Sequence, residues 1–220
     1  PRKHRQLTAP RTCCSQPNGR TALYGSAFLH RRSERGTAMH IVVVYESMFG
    51  NTKEVAAGIA DGARESQLAT AVPVGSAGRH LVSTADLLVN GAPTHAWSLS
   101  RPATRAQAAR SGSHLHLQDG AGGIGIREWL QQQPELPPRA AAFDTRRDVP
   151  VVVSGRASRG ISRLLRTRGI RLVCPAESFL VDKGNAVIAG ELARAVNWGR
   201  QLALHAVPVS QRGHQDELLL

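Results

Sequence analysis

The sequence predicts an α/β fold: a doubly wound parallel sheet with helices on both faces. Three observations predict it. From Met39 onward, short runs of β-formers alternate with helical stretches, the order that builds parallel sheets through crossover helices. Residues 40–56 join an apolar run to a helical pattern through a short polar loop containing Gly50. Polar, glycine-bearing loops also follow the third and fourth predicted strands, and in such sheets the loops at the carboxyl ends converge where strand order reverses.

The elements follow in order. Ile41–Tyr45 is a run of apolar β-formers and predicts the first strand. Residues 52–65 predict a helix with Val55, Ile59 and Ala63 on one face. Thr70–Val74 predicts a short second strand, and residues 75–85 a loop with one helical turn. Asp86–Asn90 predicts the third strand, ending in the loop Gly91 to Trp97. Residues 102–110 predict a helix opened by Pro102. The loop Gly120–Gly125 leads into a helix over 126–133 stopped by Pro134. Its G-x-G-x-x-G spacing follows no strand, so it reads as a flexible loop rather than a dinucleotide site. Arg139–Phe143 predicts the fourth strand, and Val149–Val153 is a further apolar run. Ser158–Arg168 predicts a basic amphipathic helix ended by Gly169. The last strand region falls within 170–181, and 189–204 predicts the closing helix.

Composition bounds the function. No apolar run approaches the ~18 residues of a membrane span. Three cysteines are too few for a disulfide framework; only Cys174 falls in the predicted fold, which points to a reduced, cytoplasmic protein. The formal charge of +12 is uneven: residues 1–38 hold eight Lys/Arg against one acid, or +7, and the other 182 hold 20 against 15, or +5. The expected organisation is a basic extension over 1–38 outside the core, a domain over 39–205 and a flexible tail over 206–220. Met39 stands just before the first strand, where such a domain would naturally begin. Nucleic-acid binding is expected, if at all, only through the basic leader.

The first loop carries the chemistry. A buried strand feeding a helix presents the helix's unpaired N–H groups and positive dipole end to an anion. Ser47 and Thr52 add hydroxyls, and Gly50 lets the backbone come close. This arrangement points to a bound phosphate. The stretch Val43-Val44-Tyr45-Glu46-Ser47-Met48-Phe49-Gly50-Asn51-Thr52-Lys53-Glu54-Val55-Ala56 resembles the phosphate-loop signature of the flavodoxin family throughout. Pro93-Thr94-His95-Ala96-Trp97 resembles the Pro-Thr segment that lies against the flavin in flavodoxin-like quinone reductases. The resemblance implies a flavodoxin-like five-stranded sheet of order 2-1-3-4-5 with FMN at its edge.

Carried over by position, Ser47, Met48, Phe49, Gly50, Asn51 and Thr52 would cradle the FMN phosphate. Pro93, Thr94, His95, Ala96 and Trp97 would face the isoalloxazine or ribityl chain. Phe143, Asp144, Thr145 and Arg146 would close the other side, with Arg146 as a cation near the reduced ring. The chain departs from the family in three ways: Phe49 stands where many members carry Thr, the third loop lacks the tyrosine that often stacks on flavin, and the domain lacks the strong acidity of electron carriers. No side-chain nucleophile, acid–base pair or metal-ligand set is evident. His114 and His116 read as solvated loop residues, and Cys174 as packing. The expected role is electron transfer or flavin-dependent reduction, with a redox partner protein or a small-molecule electron acceptor. The alternatives are a cofactor-free binding module and an NAD(P)H-quinone reductase. Segment 98–126 is expected to lie beside the flavin as a substrate lid or partner surface.

Overall fold

The computed structural model describes residues 38–112 and 115–206. The expectations for the leader, for His114 and for the tail beyond Ala206 lie outside the described residues.

Strand β1 (His40–Tyr45) is the apolar run, buried from Ile41 to Tyr45. A parallel strand covered on both faces is continuously apolar rather than alternating. It pairs in parallel with β2 (Leu68–Pro73) on one side and β3 (Leu87–His95) on the other. A hairpin carries β3 into the short antiparallel strand β4 (Ser98–Leu99). The other edge of β3 pairs in parallel with β5 (Arg139–Arg147). Both β6 (Arg171–Leu172) and β7 (Glu177–Val181) pair in parallel with β5. The path is therefore β2-β1-β3-β5, with β6 and β7 sharing the fifth position. This is the expected order 2-1-3-4-5, its last strand interrupted at Pro175, which has no N–H to give a ladder. With β4, the sheet has seven strands rather than five.

Helices cover both faces. On one face, α1 (Asn51–Arg64) packs Val55 and Ile59 against Ile41, Val43, Leu87 and Val89. Trp198 and Leu202 of the C-terminal helix (Glu191–Ala206) join the same cluster. On the other face, Val42, Val44, Leu88 and Ala92 meet α2 (Arg79–Ser83), α4 (Ile126–Gln132) and α6 (Ala157–Thr167). Between them, α3 (Pro102–Ser111) and α5 (Val151–Ser154) flank the carboxyl edge of the sheet; the C-terminal helix is α7. Helix α6 buries Ser158, Ile161, Ser162 and Leu165 and exposes Arg159, Arg163 and Arg166. Among the described residues, no helix is long and apolar enough to cross a membrane.

Two expectations shift. Strand β3 runs on to His95 and β5 to Arg147, well past the predicted ends. Polar residues are stable there because β5 is flanked on both sides: Gly91, Ala92 and Pro93 pair with Phe143, Asp144 and Thr145, while β7 pairs with 143–147. Pro93 is tolerated in β3 because it lies beyond Gly91, the last partner of β1. The apolar run Val149–Val153 turns into helix α5, with Val152 and Val153 exposed to solvent.

Candidate functional site

At the carboxyl ends of β1, β3 and β5 lies a cavity of about 450 Å³, within the ~300–1,000 Å³ typical of small-molecule sites. The first loop contributes Ser47, Met48, Phe49, Asn51 and Thr52 to it. The end of β3 contributes Pro93, Thr94, His95 and Ala96, and the end of β5 contributes Thr145 and Arg146.

The first loop is built to expose donors. Gly50 caps α1 at φ 102°, a left-handed conformation open to glycine. Its N–H donates to Ser47 Oγ at 3.2 Å, closing the loop on itself. The N–H groups of Asn51, Thr52 and Lys53 find no partner among the described residues, so they remain at the positive end of the α1 dipole. Thr52 Oγ1 lies 2.8 Å from Thr145 Oγ1, a buried contact tying α1 to the end of β5. One bond between two hydroxyls uses one proton, which leaves the other O–H to turn into the cavity both residues line. Asn51 Nδ2 donates to the Asn185 carbonyl at 3.2 Å, and Gln118 N–H donates to the Met48 carbonyl at 2.8 Å. Met48 is buried. The Phe49 ring rests on the end of α3, where a Cβ on Gly112 would come 2.5 Å from its ring edge.

The segment after β3 turns back as a hairpin. His95 pairs with Ser98, and the two residues between them, Ala96 and Trp97, have φ of 43° and 64°. Two consecutive positive φ values suit glycine or asparagine, so the Ala-Trp pair holds the turn under strain. Trp97 does not line the cavity and is 66% exposed. His95 lines the cavity, and burial holds its imidazole below the ordinary histidine range, so it is neutral at pH 7.

At β5 position along the strand divides the predicted residues. Thr145 reaches Thr52. The guanidinium of Arg146 donates through Nη1 to the carbonyls of Val149 at 2.8 Å and Arg147 at 3.1 Å, and to Ser154 Oγ at 3.2 Å. It thus ties the loop before α5 to the cavity edge. Phe143 and Asp144, expected at the ligand, lie elsewhere. Phe143 is fully buried in an edge-to-face aromatic cluster, its ring centroid 6.0 Å from Phe179 and 6.2 Å from Trp198. Asp144 faces α6 and accepts from Ser158 N–H at 2.8 Å; burial raises its carboxyl above the usual range. Both miss the cavity because they lie further back along β5, inside the sheet, while Thr145, Arg146 and Arg147 at its carboxyl end line it. Trp97 sits at the turn of the β3–β4 hairpin, exposed to solvent, and does not line the cavity.

One wall carries no local sequence signal. Helix α3 lines the cavity with Thr104, Gln107, Ala108 and Ser111, and Arg147, Val181 and Asn185 complete it. A buried network under the first loop holds α3. Glu46 accepts from Ser100 Oγ at 2.5 Å and from Ile126 N–H at 3.0 Å. Arg105, itself buried, donates to Ser100 Oγ at 3.0 Å and pairs with Glu128 at 3.1 Å. Burial pushes the Glu46 carboxyl up, partly offset by these hydrogen bonds and by Arg105. Arg105 looks like an ordinary helix-face charge in sequence; only its lack of a carboxylate on its own helix hints at a partner elsewhere.

The architecture is a flavodoxin-like α/β fold with a cavity at the carboxyl edge of its sheet. Solved structures agree on the fold. A flavodoxin from the domain Archaea superposes with TM-score 0.54 at 18% identity, over 76% of this chain and 99% of that one. The flavodiiron core of Flv1 from Synechocystis sp. PCC6803 gives 0.52 at 16%, over 83% of this chain and 41% of that one. A flavodoxin from Streptococcus pneumonia gives 0.50 at 15%, over 75% and 98%. The sequence itself matches no protein-family model and no curated protein at a significant level.

Proposed function

We propose that the chain binds FMN in this cavity and handles electrons through it, passing them to a protein partner or a small-molecule acceptor. The carrying observation is the exposed end of α1. Free N–H groups, two loop hydroxyls and a left-handed glycine meet there in a cavity large enough for a flavin. These residues fit the phosphate end of FMN, and the described structural neighbours include flavodoxins.

Bound FMN would supply one- and two-electron redox chemistry; the chain supplies binding and electrostatics. Asn51, Thr52 and Lys53 would hold the phosphate through main-chain N–H groups, with Ser47 and Thr52 adding hydroxyl bonds. Pro93 to Ala96 and helix α3 would flank the ring and keep water from it. Neutral His95 would donate or accept one hydrogen bond without adding charge. Arg146 would put positive charge beside the ring, favouring the reduced anionic form and raising the two-electron potential.

The test is an absorbance spectrum of the purified full chain, followed by titration with FMN and a screen of NADH, NADPH and quinones. Flavin bands, with FMN released on heating, support the reading. A protein that stays colourless in excess FMN overturns it in favour of a binding module without cofactor.

A further inference from the structure

We propose that the exposed apolar residues Trp97, Val152 and Val153, with Arg147 at the cavity edge and the outward arginines of the helix α6 that follows, dock an acidic electron-transfer protein. This rests on the redox reading above. The three side chains are 66%, 87% and 57% exposed. Their segments abut: the backbone of Trp97 bridges that of Gly155, and a Cβ on Gly155 would come 2.1 Å from the Trp97 carbonyl oxygen. Such close approach locks the strained β3–β4 turn against the end of α5. Keeping a large aromatic in solvent on a strained turn costs free energy, and among the described residues the Trp97 side chain makes no hydrogen bond or aromatic contact.

Charge decides which occupant fits. Residues 146–168 contain seven arginines and a single acid, Asp148. Arg147, Arg159 and Arg163 are exposed, the last two on the outer face of α6. An apolar centre with a charged rim is the anatomy of a protein interface, and Trp and Arg are its usual anchors. A rim this basic steers an acidic partner and repels a basic one. The patch also sits where electrons would have to leave. His95 and Ala96 adjoin Trp97 and line the cavity, as does Arg147. A lipid surface is the poorer fit, because α6 turns its apolar face into the core and leaves Arg159, Arg163, Arg166 and Thr167 outward.

The test uses the full chain incubated with FMN and an acidic plant-type [2Fe–2S] ferredoxin as probe, with cationic cytochrome c as control, both followed by calorimetric titration. Two double variants are compared, Val152→Ser with Val153→Ser and Arg159→Glu with Arg163→Glu. The expected result is ferredoxin binding that weakens at high salt and falls about tenfold or more in each double variant. FMN titration curves of the variants should match the parent. Ferredoxin bound no tighter than cytochrome c, or bound equally by the variants, overturns the proposal. So does a chain that ignores ferredoxin and sediments with phosphatidylglycerol vesicles. A chain that takes up no FMN but still binds ferredoxin through this patch refutes the cofactor reading and leaves the docking surface standing.

Discussion

The hydroxyls of Thr52 and Thr145 meet at 2.8 Å in a buried contact between the start of helix α1 and the end of strand β5. Two rims of the cavity are thereby fixed at one distance before any ligand arrives. Thr52→Ala leaves the Thr145 hydroxyl buried without that partner, which costs about 1–3 kcal/mol. Removing both hydroxyls should cost less than the two single changes added together, because each single change already breaks the shared bond. Urea unfolding of the four proteins in the cycle measures this; strict additivity would show that the contact has no energetic weight. In FMN titrations, Thr52→Ala and Ser47→Ala should each weaken binding by about 1.5–3 kcal/mol, as expected for hydrogen bonds to a charged group. Superimposable titration curves would mean the loop does not hold the phosphate.

Trp97 is held at φ 64° with most of its side chain in water. Glycine relieves that backbone strain and loses little packing, so Trp97→Gly should leave the protein as stable as the parent or raise its stability by about 1 kcal/mol. Thermal unfolding gives the answer. A loss of more than about 1 kcal/mol would show that the indole packs against the fold.

Burial raises the Glu46 carboxyl above its unfolded value of ~4.3. The folded state therefore binds this proton more tightly than the unfolded chain does. The stability it contributes is full below the unfolded pKa and is lost as pH rises through the raised folded value. Glu46→Gln carries no such titration. Urea unfolding of both proteins at several pH values from 4 to 8 should show the variant gaining on the parent as pH rises. A gap between them that does not change with pH would mean that folding leaves the Glu46 carboxyl where it stands in the unfolded chain.

Burial, reinforced by the charge of Glu177, pushes the Cys174 thiol up to about 11. At pH 8 only about one thiol in a thousand is then ionised, against roughly a quarter for an ordinary free cysteine. Alkylation of Cys174 by iodoacetamide, followed by peptide mass spectrometry, should be at least about 100-fold slower in the folded protein than in urea. Equal rates would place the thiol in water.

What was legible in the sequence was what is local. The apolar run of β1, its abrupt end and the hydroxyl- and glycine-bearing turn all lie within a dozen residues, and they located the first loop. The alternation of strand and helix patterns pointed to a parallel sheet with helices on both faces; its order came only from the resemblance carried by the first loop. The end of β5 was not legible. Asp144, Thr145, Arg146 and Arg147 look like loop residues until β7, far along the chain, supplies their ladder. Helix α3 was placed in sequence, within a segment expected beside the ligand, but which of its residues line the cavity was not legible. Among its described residues only Arg105 is buried, and Arg105 is fixed by Glu128 and Ser100 rather than by an apolar stripe. Trp97 was assigned to the ligand by position alone, since no residue pattern announces two consecutive left-handed non-glycine residues.

Phe49 reaches across to Gly112, so the peptide expected to grip a phosphate also props up the opposite wall. Affinity at one end of the ligand and headroom at the other are ganged to a single position. A smaller residue there would let α3 settle inward and narrow the room above any ring, and it would do so without touching a single hydrogen-bond donor.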